Sequence, residues 1–187
     1  MKNIFSCMIF FFFVSVTKGQ VISVEKSIFN IQTGFLGVWL NNESKLSDKV
    51  ALRSEIGFDA GYFMGSFYSK TGFFMTPVLT LEPRWYYNLK NRVAHSKKIK
   101  SNSGNFFGIK VSYNPDWFVI SNYDGLSVVN QVSLIPKWGI RRNLGNHFNF
   151  EGGGGIGYKY YFSEKADYLR RENEAAVDLH LRIGFQF

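Results

Sequence analysis

Cysteine is almost absent from this chain: its 187 residues contain a single one, Cys7. Beyond residue 16 there is also no apolar run approaching the roughly 20 residues that a membrane-spanning helix needs. Proline is scarce, with 4 residues, whereas glycine numbers 18 and aromatic residues make up 18% of the chain. Beyond Cys7, the sequence therefore excludes disulfide bonds, thiolate metal sites and cysteine nucleophiles.

The first residues have the three-part pattern of a secretory signal peptide. Lys2 provides the positive start, residues 4–16 are almost wholly apolar, and Gly19 is a small residue at the cleavage position. An apolar run of about 13 residues is short for a transmembrane helix. We therefore expect residues 1–19 to be a cleaved signal peptide and residues 20–187 to form one exported domain.

Apolar and polar residues alternate along several segments, which is the period of a β-strand with two different faces. In the last segment, 177–187, every odd-numbered residue is apolar and every even-numbered residue is polar or glycine. Four other segments repeat this alternation: 50–62, 107–113, 131–141 and 148–162. Two more segments, 27–41 and 73–87, are strand-like but apolar on both faces in places.

We predict an all-β fold, an antiparallel transmembrane β-barrel of about eight strands. The predicted strands of about 10–15 residues exceed the usual soluble length and suit a tilted membrane span of about 9–11 residues. Aromatic residues gather near strand ends, as in the interface girdles of membrane barrels: Trp39, 85–87, 117–118 and 158–162. A soluble lipocalin-like barrel is the alternative, because its strands also alternate, with the apolar face inward.

Only seven segments are clear, whereas bacterial single-chain barrels have an even number of strands. Residues 21–26 and 117–122 are the two candidates for the eighth strand, and we favour the second. A strand at 117–122 would also move the long basic connection 88–104 away from the barrel end that contains Phe187, to the cell-surface end.

The glycine run 152–155 has the look of a phosphate-binding loop. However, no Lys-Ser/Thr pair follows at the required spacing, and the run lies inside an alternating strand. Glycine inside a strand marks a bend or a close approach of two backbones. We therefore interpret this run, together with Gly157, Gly34 and Gly37, as sites of sharp barrel curvature.

Charges of both signs lie on the polar faces of the predicted strands. The interior of an eight-stranded barrel is just wide enough for side chains to fill it, so opposite charges can pair across it. We predict a lumen charge network made of Arg53, Glu55, Asp59, Glu82, Arg84, Lys110, Lys137, Glu151, Lys159, Asp178 and Arg182. Such pairing predicts a closed lumen, and a small porin is the alternative.

The C-terminal residues Gly184, Phe185 and Phe187 resemble the terminal signal that the barrel-assembly machinery of the outer membrane recognises. Size and pattern together resemble the small eight-stranded outer-membrane barrels of the OmpA/OmpX type. Three stretches are similar to small uncharacterised outer-membrane barrels of Bacteroidetes: 79–92, 136–151 and 179–187. The resemblance covers essentially all of residues 20–187 and implies a Gram-negative outer-membrane location, but no activity.

The histidines form no definable catalytic or metal site. His180 lies two residues from Asp178 and could act as a general base, but a hydrogen-bonding histidine in the lumen is the simpler interpretation. His147 and His95 lie in connections, and three scattered histidines make no metal site. We expect no metal and no cofactor.

The formal charge of +8 is spread along the chain, so we expect no nucleic-acid partner. The basic cluster Lys97, Lys98 and Lys100 is either a lipopolysaccharide-binding site or a solvated loop. The expected partners are outer-membrane lipid, lipopolysaccharide and the assembly machinery. We therefore expect a monomeric, non-enzymatic barrel with an envelope-structural or surface-interaction role. A lipid-modifying enzyme acting on lipid A or phospholipid, as hydrolase or acyltransferase, is a further alternative.

Overall fold

The computed structural model describes residues 22–63, 72–162 and 173–187, and the predicted signal peptide lies outside them. In this part of the chain no helix is long and apolar enough to cross a membrane. The strands are β1 Ser27–Gly34, β2 Gly37–Lys45, β3 Val50–Phe63, β4 Gly72–Tyr86, β5 Gly104–Asn114, β6 Ile120–Ser121, β7 Gln131–Leu144, β8 Phe148–Tyr161 and β9 Asn173–Gln186. Helix α1, Leu89–Ala94, and a 3-10 helix, Lys100–Asn102, lie between β4 and β5.

Eight of these strands close into an antiparallel barrel, which confirms the predicted fold. Their order around the barrel is β1-β2-β3-β4-β5-β7-β8-β9, and β9 pairs with β1 to complete the circle. At the closure, Ile31 lies opposite Phe185 on one side and opposite Leu40 on the other. The two-residue strand β6 pairs with β4 at Phe74 and Met75, so it prolongs the wall beyond β5.

The eighth strand comes from a hairpin that the sequence analysis missed. The segment predicted as one strand, 27–41, belongs to two strands, because Gly34 pairs with Gly37 and the chain reverses at Phe35 and Leu36. Gly37 has a φ of 145°, which L side chains rarely adopt, so glycine permits this turn. The interpretation of these two glycines as curvature sites within one strand was therefore wrong.

Neither predicted candidate for the eighth strand holds. Residues 22–26 form no strand, and the segment 117–122 contributes only the two residues of β6. The extra strand forms before β3, so no additional full strand lies between the connection 88–104 and the C-terminus. This connection therefore lies at the same end of the barrel as Ser27 and Phe187. We call this the terminal end and the opposite one the far end. The prediction that this connection lies at the opposite end was wrong.

The barrel is apolar outside and polar inside. Outward side chains such as Leu40, Ile56, Leu134 and Leu179 are exposed, and Leu179 is 72% exposed. The inward side chains of the same strands are buried, and most are charged or carry amides or hydroxyls. A water-soluble antiparallel barrel has the opposite arrangement, with its apolar face inward.

The close approach of neighbouring backbones explains the glycines of β8. A Cβ atom at Gly153, which faces the lumen, would lie 2.3 Å from the carbonyl oxygen of Trp138 and 2.7 Å from the Cα of Gly139. A Cβ atom at Gly152, which faces outward, would have no such neighbour nearer than 3.5 Å. The lumen-facing position 153 therefore requires glycine, whereas the outward-facing position 152 tolerates a side chain.

We expect Gly153→Ala to lower the free energy of unfolding by about 1–3 kcal/mol, because the added methyl group forces β7 and β8 apart. The matched variant Gly152→Ala should change it by less than about 0.5 kcal/mol. Urea unfolding of both proteins in detergent micelles measures the difference. Equal effects at the two positions would contradict the close approach of β7 and β8.

Candidate functional site

The lumen contains a continuous set of buried ion pairs, which we call the lumen network. Glu151 on β8 lies at its centre and is fully buried. Its carboxylate accepts hydrogen bonds from Arg84 Nη2 at 2.7 Å, Arg53 Nη1 at 3.1 Å and Arg141 Nη1 at 3.4 Å. Three guanidinium groups from β3, β4 and β7 thus surround one carboxylate.

Glu43 on β2 is a second fully buried carboxylate that accepts hydrogen bonds from two of these arginines and lies 3.9 Å from the third, Arg53. Its Oε1 atom accepts from Arg84 at 2.9 Å and from Arg141 at 3.2 Å. Its Oε2 atom accepts from the Tyr86 hydroxyl and from the Asn102 side-chain amide, each at 2.9 Å. Glu43 therefore joins the arginines to the connection between β4 and β5.

Two further carboxylates extend the network along the lumen. Glu55 accepts from Arg53 and, at 2.7 Å, from Arg182. Glu82 accepts from Arg84 Nε at 2.9 Å and lies 3.8 Å from Lys137 Nζ. Because Arg53, Arg84 and Lys137 each contact more than one carboxylate, the charges form one network instead of separate pairs.

Asp178 on β9 forms the part of the network nearest the far end. Its carboxylate lies 2.7 Å from Lys110 Nζ and 3.1 Å from Lys137 Nζ. His180 Nδ1 lies 2.8 Å from the same carboxylate, and His180 Nε2 lies 3.6 Å from Glu151. His180 therefore lies in the lumen between two carboxylates.

The structure brings nine of the eleven predicted lumen residues into the network: Arg53, Glu55, Glu82, Arg84, Lys110, Lys137, Glu151, Asp178 and Arg182. Asp59 is separate and accepts hydrogen bonds from Trp39 Nε1 at 2.9 Å and from Asn114 at 3.4 Å. Lys159 is also separate and lies 3.5 Å from Glu174. All eleven side chains nevertheless belong to the lumen face of their strands.

Glu43 and Arg141 are network residues that the predicted set omitted. Glu43 lies beyond the end of the predicted strand segment 27–41, although it continues the alternation that begins at Trp39. Arg141 follows the alternation of β7, so its lumen position was visible in the sequence. Trp39 itself is buried in the lumen, with the Arg182 guanidinium 3.7 Å from its ring centre, and its assignment to an aromatic girdle was wrong.

The connection between β4 and β5 closes the terminal end of the lumen, and we call residues 89–103 the plug. Ser101 and Asn102 are buried and have φ angles of 55° and 57°. The Ser101 carbonyl oxygen accepts from Arg141 Nε at 3.0 Å, and its hydroxyl accepts from Gln186 at 2.7 Å. Leu89 packs in an apolar cluster with Val24, Ala51, Tyr86 and Phe106.

The other histidines lie far from the network. His147 stacks on Phe185 at the terminal end, and His95 Nδ1 lies 2.8 Å from the Asn91 carbonyl oxygen. Among the described residues, no group of three or more His, Cys, Asp or Glu side chains is placed to hold a metal ion. Of the predicted assembly signal, Gly184 faces the lumen, whereas Phe185 and Phe187 are exposed on the outer surface.

Comparison of the chain with protein-family models, with curated proteins and with solved structures finds no match. The functional inference therefore rests on the barrel, on its apolar exterior and on the geometry of the lumen.

Proposed function

We propose that this protein spans a bacterial outer membrane as a non-conducting barrel with an envelope-structural or surface-interaction role. The observation that supports this proposal is the inverted distribution of polarity. Lipid solvates the apolar outer face, and barrel closure satisfies the backbone hydrogen bonds that a bilayer cannot satisfy. In water, the same surface would expose an apolar area far larger than soluble monomers tolerate.

Aromatic side chains at both ends of the outer surface fit the two interfaces of a bilayer. At the terminal end, the rings of Trp85 and Tyr87 lie 5.9 Å apart. At the far end, the rings of Tyr160 and Phe162 lie 5.1 Å apart. Bacterial barrels keep their longer loops on the cell surface. Most long connections here lie at the far end, which supports a periplasmic terminal end.

The filled lumen favours a closed barrel over the alternative of a small porin. The network and the plug occupy the space that a water-filled channel would need. His180 is a weaker candidate for lipid chemistry, because its Nε2 atom is buried and faces Glu151. These observations support a non-enzymatic role.

The proposed partners follow from this orientation. Lipopolysaccharide would meet the far end, and the assembly machinery would recognise the strand that ends at Phe187. The cluster Lys97, Lys98 and Lys100 lies in the plug at the terminal end. We therefore assign it to the phosphate headgroups of the inner leaflet instead of lipopolysaccharide.

Gel migration with and without boiling tests the membrane assignment. We expect the mature protein to require detergent for solubility and to migrate at a different position before and after boiling, because a closed barrel resists unfolding by detergent alone. In a planar bilayer it should give no stable conductance. Free solubility in buffer with unchanged migration would refute the membrane barrel. A large steady conductance would show that the barrel is a porin instead of a closed barrel.

A further inference from the structure

The barrel wall has a notch at the far end. β1 and β2 contain 8 and 9 residues, whereas their neighbours β9 and β3 contain 14 residues each. The last pairs that the hairpin makes at this end are Gly34–Arg182 and Gly37–Asp59, and both β9 and β3 continue beyond them. β3 alone continues for four residues, to Phe63, so roughly 10–15 Å of wall is missing beside it. Among the described residues, β1 pairs with β9 only from Arg182 to Gln186.

Two cavities meet behind this notch. One has a volume of about 500 Å³ and lies against the hairpin residues Phe35 and Leu36. The other has a volume of about 300 Å³ and lies farther from the hairpin, across the far end of the lumen against β4, β5 and β7, and we call it the deeper cavity. Both are lined by Asp59, Lys110 and Asp178, so the two cavities adjoin, and the first reaches the notch at the hairpin.

The rim of the notch is apolar, whereas its interior is polar. Phe35, Leu36, Val177 and Leu179 are exposed at the rim, and Phe35 is 80% exposed. The deeper cavity is lined by side chains with hydroxyl, amide and charged groups: Asp59, Thr76, Lys110, Ser112, Asn114, Gln131, Ser133, Lys159 and Asp178. In a membrane, acyl chains would therefore meet the rim and a hydrophilic group would meet the interior.

The edge of β9 at the notch needs a polar environment beside it. A virtual Cβ at Gly34 lies 2.5 Å from the Leu181 carbonyl oxygen, so the peptide groups of Leu181 face β1. By the period of two, the peptide groups of Leu179 and Val177 face the notch, where no strand in the described part of the chain pairs with this edge of β9. Peptide groups without hydrogen-bond partners are tolerated at membrane depth only where they line a polar or water-filled space.

The charges inside the notch favour a ligand that carries both signs. Asp59 accepts hydrogen bonds from the neutral groups of Trp39 and Asn114, and among the described residues no cationic side chain lies within ion-pair distance of its carboxylate. Lys110 points into the same space and has hydrogen-bond donors beyond the one that contacts Asp178. A zwitterionic headgroup can place its ammonium group at Asp59 and its phosphate at Lys110, whereas a purely anionic or purely cationic headgroup can use only one of these two contacts.

We propose that the notch is a lateral binding site for a zwitterionic amphiphile, with its ammonium group at Asp59, its phosphate at Lys110 and its tail between Leu36 and Leu179. This inference rests on the proposed membrane barrel and adds a ligand class to it. The ligand reaches the site from within the bilayer, so the lumen need not conduct.

A photoreactive single-chain phosphoethanolamine lipid tests the site in vesicles that contain the refolded protein. We expect crosslinks concentrated at Phe35, Leu36, Val177 and Leu179. Unlabelled phosphoethanolamine lipid should compete at about tenfold lower concentration than a trimethylammonium or a phosphate amphiphile of the same chain length, as expected for one charge-assisted hydrogen bond gained or lost. Asp59→Asn should abolish this preference.

Two variants separate the cavity from the outer surface. Ala176→Trp should suppress the crosslinks because Ala176 is buried and lines the deeper cavity, whereas Leu134→Trp on the lipid-facing side of β7 should leave them unchanged. Each protein is first checked for heat-modifiable migration. A normally inserted wild type with crosslinks spread evenly around the barrel, or with no headgroup preference, would overturn this inference alone. A wild type that does not insert would overturn the proposed function with it.

Discussion

Replacing Glu151 with glutamine is expected to lower the free energy of unfolding by about 3–5 kcal/mol, because removing one charge from a buried network leaves its partners uncompensated. Glu151 is fully buried and accepts hydrogen bonds from Arg53, Arg84 and Arg141. Glutamine keeps the volume of the side chain but removes its charge, so the loss reflects electrostatics more than packing. Urea unfolding in micelles, followed by tryptophan fluorescence, measures it.

Lys159→Gln is the matched control for this prediction. Lys159 belongs to the same lumen face but lies outside the network, and its side chain is 29% exposed. Its ion pair with Glu174 is long, at 3.5 Å, so its removal should change the free energy of unfolding by less than about 1 kcal/mol. If both variants lost the same free energy of unfolding, the buried network would contribute no more to stability than the partly exposed ion pair of Lys159.

The alternation of apolar and polar residues predicts most of the barrel, because one face meets the lumen and the other does not. It fails at the β1–β2 hairpin for a physical reason. The turn residues Phe35 and Leu36 are apolar and exposed on the outer surface, so the turn lacks the polar residues that normally mark one. Without that turn, the strand count is odd and the predicted strand segment ends at residue 41, before Glu43.

The members of the lumen network could be predicted, but their partners could not. Arg53 and Glu151 lie on β3 and β8, 98 residues apart in the chain, and they meet only because the barrel closes. Pairing across the lumen depends on the register of every strand between them. The plug depends in addition on side chains of several strands, such as Glu43 and Arg141, and no local pattern in residues 89–103 indicates that they fold into the lumen.

Replacing Glu43 with alanine is expected to release the plug and to increase the rate of trypsin cleavage after Lys97, Lys98 or Lys100. The change leaves Arg84, Arg141, Tyr86 and Asn102 without the carboxylate that they share. Cleavage of a folded protein follows the population of its open form, so each loss of about 1.4 kcal/mol in plug stability increases the rate about tenfold. Limited digestion in micelles with mass spectrometry of the products measures it.

Glu25→Ala provides the control, because Glu25 also contacts the plug but only weakly. Its carboxylate accepts one hydrogen bond, from the Ser101 backbone N–H at 3.4 Å, and its own backbone N–H keeps its bond to Asn102 after the substitution. This variant should be cut at nearly the wild-type rate. If the Glu43 variant were also cut at the wild-type rate, the apolar packing of Leu89 alone would hold the plug. In the Glu43 variant, the released plug should also give brief, irregular conductance steps in a planar bilayer. The reason is that residues 89–103 occupy the lumen without belonging to a strand of the barrel wall.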